Sequence, residues 1–236
     1  MSQRGRGKQY ESGAQQVDRS KRYAPREALG LIKQVSFAKF DEAVELHFNL
    51  GIDPRQADQQ IRGTLQLPFG SGKVVRIVVI AQGEKIMEAK EAGADEVGSE
   101  ELIERIQNGW LDFDLVIATP DMMSKVGRLG RILGARGIMP NPKAGTVTAD
   151  LKKAVQEFKA GKVEYRNDKS GLIHLSIGRK SFDTESLLRN FEAVYDTIVR
   201  IKPSKSKGVY LRSVSLSSTM GPGVFLETQS VKWKEV

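Results

Sequence analysis

Strand-like and helical runs alternate between residues 74 and 119, and a chain with that pattern has few ways to fold. Residues 74–81 form an almost unbroken β-branched run, the composition of a strand covered on both faces. Runs at 85–91, 95–97, 100–106 and 115–119 continue the alternation. Such βαβ order implies a mainly parallel sheet, because parallel neighbours need a crossover that is usually helical.

Both flanks read differently. Pro25 opens a helix carrying Ala28, Leu29, Ile32 and Val35 on one face, at a position where its missing N–H costs nothing. Val44, Leu46, Phe48 and Leu50 then alternate with Glu45, His47 and Asn49, the period of a half-buried strand that Gly51 and Pro54 end. A second strand is expected at 61–67. Beyond the parallel unit come a helix at 149–158, strands at 163–166 and 172–177, a helix at 184–200, and strands at 210–217 and 224–227. The simplest topology is an insertion: residues 1–70 and 162–236 form one discontinuous α+β domain, and residues 71–161 enter it through hinge strands near Gly70 and Gly161. The expected fold class is therefore α/β and α+β in two domains.

Charge narrows the partner. Lys and Arg number 37 against 29 Asp and Glu, a formal net charge of +8, which favours nucleic acid ahead of an anionic membrane surface. Residues 1–23 read as a flexible basic arm, with Arg4, Arg6, Lys8, Arg19, Lys21 and Arg22 among few apolar residues. Residues 84–114 are acidic and should avoid RNA, and basic clusters return at 125–143, 159–169 and 200–212. The chain has no Cys, which excludes disulfides, thiolate metal sites and a Cys nucleophile. The longest apolar run, 74–81, is broken by Arg76 and falls far short of the roughly 20 residues of a membrane span. A cytosolic location is the default, with an organellar address left open.

Catalytic motifs fail on inspection. Gly70-Ser71-Gly72-Lys73 lacks the earlier glycine of a phosphate loop, and Val74 stands where Ser or Thr would hold magnesium. Gly127, Gly130, Gly134 and Gly137 are spaced for flexibility and close backbone approach rather than as a dinucleotide fingerprint, and no strand directly precedes them. His47 and His174 sit out of phase with the apolar positions of their strands, as exposed sheet-surface residues do. No cofactor and no metal site is expected. A DNA-binding regulator would explain the charge but lacks a recognition helix, and a nucleotide-dependent enzyme lacks the phosphate loop.

One long segment is more specific. Gly127-Arg128-Leu129-Gly130-Arg131-Ile132-Leu133-Gly134-Ala135-Arg136-Gly137-Ile138-Met139-Pro140-Asn141-Pro142-Lys143 is followed by Ala144-Gly145-Thr146-Val147-Thr148. Together these resemble the signature of the bacterial-type ribosomal protein L-one family. Ala38-Lys39-Phe40-Asp41-Glu42, Gly51-Ile52-Asp53-Pro54-Arg55, Arg62-Gly63-Thr64, Val163-Glu164-Tyr165-Arg166-Asn167-Asp168-Lys169 and Ser218-Thr219-Met220-Gly221-Pro222 resemble further family segments in family order. The likeness runs from about Tyr23 to Glu227. It implies that the split domain binds RNA and that the inserted domain is Rossmann-like. It also implies a non-catalytic protein of the large-subunit stalk that binds rRNA as a monomer, assists release of deacylated tRNA and represses its own operon mRNA.

The resemblance carries over to particular residues. Phe40 offers an aromatic face to a sugar or base, and Lys39, Arg166 and Lys169 suit phosphates. Glu42 and Asp168 are expected either to accept hydrogen bonds from ribose 2′-hydroxyls or to orient neighbouring Arg and Lys, with an ordinary salt bridge the alternative for Asp168. His174 reads as an RNA donor or an inert surface residue. Ser213, Thr219, Met220 and Gly221 form an edge of hydroxyls, polarizable sulfur and exposed backbone suited to an RNA groove. For Met220 alone core packing is the ordinary reading, and its neighbours shift it toward RNA. Arg128, Arg131, Arg136 and Lys143 belong to the inserted unit and are expected to touch rRNA or tRNA in some stalk positions only.

Overall fold

The structure is a computed structural model that describes residues 7–228. It divides into two compact units, one built from the residues up to Gly72 together with those from Tyr165 onward, the other from Lys73–Glu164.

The first unit contains α1 (Lys8–Gln15), α2 (Pro25–Val35), β1 (Ala43–Leu50) and β2 (Arg62–Gln66) from the N-terminal side. Within Lys73–Glu164 lie β3 (Ile77–Ile80), α3 (Lys85–Glu91), β4 (Glu96–Gly98), α4 (Glu100–Gln107), β5 (Leu115–Ala118), α5 (Met123–Val126), α6 (Gly130–Ala135) and α7 (Leu151–Lys159). The chain then forms β6 (Lys162–Arg166), which pairs with β2, followed by β7 (Leu172–Arg179), α8 (Thr184–Arg200), β8 (Leu211–Ser218) and β9 (Val224–Leu226).

A four-stranded sheet in the order β7-β1-β8-β9 organises the first unit, with every neighbour antiparallel. Burial alternates strictly along β1, so Val44, Leu46, Phe48 and Leu50 face inward while Glu45, His47 and Asn49 face out. Helices α2 and α8 supply the opposing apolar stripes: Ala28, Leu29, Ile32 and Val35 from one, Leu187, Phe191, Val194 and Ile198 from the other. Phe191 stacks on Tyr195 at 5.7 Å between ring centres. Asp183 caps α8 by accepting the Ser186 N–H at 3.1 Å. Where the register shifts between Val44 and Glu45, opposite Gly178, the glycine has a φ of 156° and an added Cβ would stand 2.7 Å from the Leu187 side chain.

The second unit is a three-stranded parallel sheet in the order β4-β3-β5. Ile77 and Val79 pack against α3 and α7 through Ala89, Leu151, Val155 and Phe158, while Val78 and Ile80 meet Leu102, Ile103, Ile106, Val126, Leu129 and Leu133 on the other face. Two covered faces explain why β3 is apolar at every position.

Three expectations need correction. The run at 74–81 is strand only from Ile77, and Val74 is 89% exposed. The Arg76 and Ile77 N–H groups are taken by the carboxylates of Asp114 (3.1 Å) and Asp95 (2.8 Å) respectively, which caps the strand at its start. Three of the four glycines expected to give flexibility, Gly127, Gly130 and Gly134, lie in short helical turns instead, and Val126, Leu129 and Leu133 beside them are buried, while Gly137 just beyond has a φ of 73°. The expected basic arm is ordered from residue 7 on. Gly13 in α1 abuts Val35 and Pro222, Val17 is buried, and Tyr23 donates its N–H to the Phe225 carbonyl at 2.9 Å, extending the pairing beside β9. These few apolar contacts offset the polar composition that suggested disorder. The first six residues of that arm, and the tail from 229, lie outside the described residues.

Candidate nucleic-acid interface

The outward face of the four-stranded sheet is polar. Glu45, His47 and Asn49 of β1 lie opposite Ser176, His174 and Leu172 of β7 and opposite Ser217, Ser215 and Ser213 of β8. An eight-residue strand spans roughly 25 Å. The candidate residues cluster at its two ends and its middle.

At one end stand Lys39 and Phe40, just before β1, and Thr219, Met220 and Gly221, just after β8. Phe40 is 54% exposed and Met220 51%, large apolar groups left open to water. Glu42 holds this end together. Its side chain is fully buried, and its two oxygens accept the Ala38 N–H at 2.7 Å and the Met220 N–H at 3.0 Å. Burial opposes the charge, but Ser36 beside the carboxylate, the Met220 N–H, Ser218 and the Ala38 N–H favour it, bringing its pKa down to about 2. The Ser36 and Ser218 hydroxyls are buried and have no fully formed hydrogen bond of their own.

Glu42 therefore cannot meet a ribose, which corrects the expected role: it orients backbone amides rather than RNA, Arg or Lys. Thr219 is exposed, yet its hydroxyl oxygen accepts the Ala43 N–H at 2.9 Å and so joins the loop to β1. Gly221 has an internal reason to be glycine, since a Cβ there would stand 2.4 Å from the Ser218 hydroxyl.

At the other end Arg166, the last residue of β6, and Asp168 and Lys169, on the turn between β6 and β7, are exposed. Asp168 accepts the Ser170 and Leu172 N–H groups, each at 2.8 Å. Its carboxylate thus shapes the turn that presents Lys169. In the middle, His174 is exposed and its Nδ1 lies 2.9 Å from His47 Nδ1, while His47 Nε2 lies 3.0 Å from the Ser217 hydroxyl. Ser213 is half-buried beside Asn49. Phe225, opposite Ser215 on β9, carries the Arg22 guanidinium over its ring at 4.6 Å and adds an aromatic group that the sequence reading missed. Its alternation with Val224 and Leu226 was the available signal. Among the described residues no group of three or more His, Cys, Asp or Glu is placed to hold a metal ion, and no helix is long and apolar enough to cross a membrane.

The geometry offers aromatic and thioether surface at one end, cations at the other, and hydroxyl, amide and imidazole groups between, a set suited to sugar, base and phosphate. Sequence comparison gives this face its context. A model of the Ribosomal protein L1p/L10e family matches residues 32–222. The chain belongs to that family. It is also 58% identical, over 94% of its own length and 96% of the other's, to the large ribosomal subunit protein uL1 of Lactobacillus johnsonii. Membership bears out the resemblance seen in the segments around 38–42, 127–148 and 218–222, and the two-domain α/β fold is that of the family. The matched stretch reaches from within α2 to the Met220 edge and so includes both ends of the polar face.

Acid should weaken the fold in two stages. Burial first, and then His174, hold His47 below its ordinary 6.5, so the unfolded chain takes up that proton more readily and stability falls as pH drops below about 6.5. Glu42 contributes stability that is fully present above 4.5 and is lost as pH falls toward about 2. Thermal unfolding followed by circular dichroism from pH 8 to pH 3 should show both declines, and His47→Asn should remove the upper one. A melting temperature that is flat through this range contradicts the assignment.

Proposed function

We propose that the chain serves the large ribosomal subunit by binding its rRNA through the polar sheet face of the discontinuous unit, residues 1–70 and 162–236, and performs no catalysis. The observation that carries this reading is that Phe40 and Met220, both exposed, stand at the same end of a hydroxyl-rich sheet, where the buried Glu42 bonds the Met220 and Ala38 N–H groups. Large apolar groups exposed at the rim of a polar face are the kind of surface that a partner covers. Membership of a ribosomal protein family supports rRNA as the cover, and the basic residues Lys39, Arg166 and Lys169 support a phosphate backbone beside it. The finer reading is that the chain works in the cytoplasm as a monomer of the mobile stalk, assists departure of deacylated tRNA, and represses translation of its own operon mRNA. The family likeness supports that reading, with Arg128, Arg131, Arg136 and Lys143, all exposed in the second unit, touching rRNA or tRNA in some stalk positions only.

Filter binding of the full chain to fragments of large-subunit rRNA, with duplex DNA of equal length as control, tests the core of the proposal. Tight binding to one fragment is expected, with a log–log salt slope of about 0.7 to 0.9 per neutralised phosphate. Phe40→Ala should weaken that complex roughly five- to hundredfold with little change in melting temperature, as loss of a stacked aromatic does. Equal affinity for DNA and RNA, or a Phe40→Ala protein that binds as well as wild type, would sink the assignment.

A further inference from the structure

Beside Met220 the surface opens into a cleft that the sheet face does not account for. Gly7, Lys8, Gln9 and Tyr10 at the start of α1, with Phe37 and Met220, line a cavity of about 660 Å³. That volume lies inside the roughly 300–1,000 Å³ range of small-molecule sites. The walls are mainly apolar. Of the six residues Lys8 alone is ionised, so the cleft pairs aromatic and thioether surface with a positive charge and no carboxylate.

The position of the cleft limits what can fill it. Met220 belongs both to this wall and to the edge proposed to meet rRNA, and its backbone N–H is fixed by Glu42, so one occupant of the edge continues directly into the cleft. An apolar peptide segment would leave Lys8 without a partner. A nucleotide satisfies both features: a base has a π-face for rings and sulfur, and its phosphate suits an ammonium group.

We propose that this cleft receives one unpaired nucleobase of the RNA bound on the adjoining sheet face, stacked against Tyr10 and Phe37 beside Met220, with Lys8 on its phosphate. The proposal rests on the RNA-binding reading above and extends it to α1, a helix N-terminal to the stretch that the family model matches. It gives the ordering of α1 a use. The Gly13 contact with Val35 and Pro222 holds the helix against the same corner of the unit as Met220.

The test uses the full chain and the rRNA fragment selected by filter binding. Tyr10→Leu keeps an apolar side chain but removes the ring, and should weaken binding roughly five- to hundredfold, well beyond any loss that a shift in melting temperature accounts for. An abasic substitution at one unpaired nucleotide should weaken wild type similarly and add little to Tyr10→Leu, because both changes delete the same stack. Lys8→Ala should reduce the salt slope by about one phosphate. If no large-subunit fragment binds wild type, the RNA-binding reading and the cleft fall together. If the fragment binds wild type and Tyr10→Leu equally, the cleft assignment falls alone. Should Tyr10→Leu fail to fold, photocrosslinking from p-benzoylphenylalanine in place of Gln9 decides. A crosslink to an unpaired nucleotide supports the proposal. A crosslink to residues 1–6 of the same chain, or to protein alone, means that the protein itself fills the cleft and overturns it.

Discussion

Glu42→Gln should lower the free energy of unfolding by about 2 to 3 kcal/mol and loosen the Met220 edge at the same time. The ionised carboxylate accepts on both oxygens, and the Ala38 and Met220 N–H groups approach it from two chain segments. A glutamine has one acceptor oxygen and one NH₂, so whichever way it turns, a buried donor faces another donor. An unsatisfied buried group costs roughly 1 to 3 kcal/mol. Chemical denaturation should show a lower midpoint at unchanged slope. RNA affinity should fall as well, although the side chain is buried, because Met220 loses the bond that places it. Unchanged stability would mean that Ala38 and Met220 find other acceptors, and the account of this corner would be wrong.

A second large effect is expected at Asn190. It is fully buried in α8 among Leu187, Phe191 and Val194, where a helix facing a core ordinarily carries an apolar residue. Its NH₂ group donates to the carbonyls of Ile177 at 2.7 Å and Gly70 at 2.9 Å, and its oxygen accepts the Phe69 N–H at 3.0 Å. The amide thus ties the helix to β7 and to the segment leaving β2. Asn190→Leu keeps the branched shape and improves the apolar stripe, yet it adds bulk in a closed site and strands three backbone groups, and a loss of about 3 to 5 kcal/mol follows. Hydrogen exchange should report faster opening at Phe69 than at strand β1. A Leu variant as stable as wild type would show that water replaces the amide at no cost.

Asn190 also shows where sequence reading stops. The pattern of residues 184–200 located the helix, because amphipathic spacing is a local property. The same reading cannot tell a buried asparagine from one on the polar face, since its partner Phe69 lies 121 residues away. Glu42 makes the point at the candidate site. Its neighbours Lys39 and Phe40 are exposed and suited to RNA, and a carboxylate beside them reads naturally as part of the same surface. Its burial follows from Met220, 178 residues later in the chain.

The sequence by itself determined the parallel sheet of the middle unit, the alternating strands of the flanking unit, the family, and the exposed Phe40 and Met220 segments, all of which rest on spacing within a few residues or on long matched motifs. Tertiary structure alone decided that α1 packs rather than trails, that His47 and His174 touch, that Glu42 supports the interface instead of forming it, and that a cleft opens beside Met220. Each of these depends on segments far apart in the chain meeting at one place. The free energy of burying or pairing a polar group is set by the neighbours that arrive there, and a local pattern does not contain them.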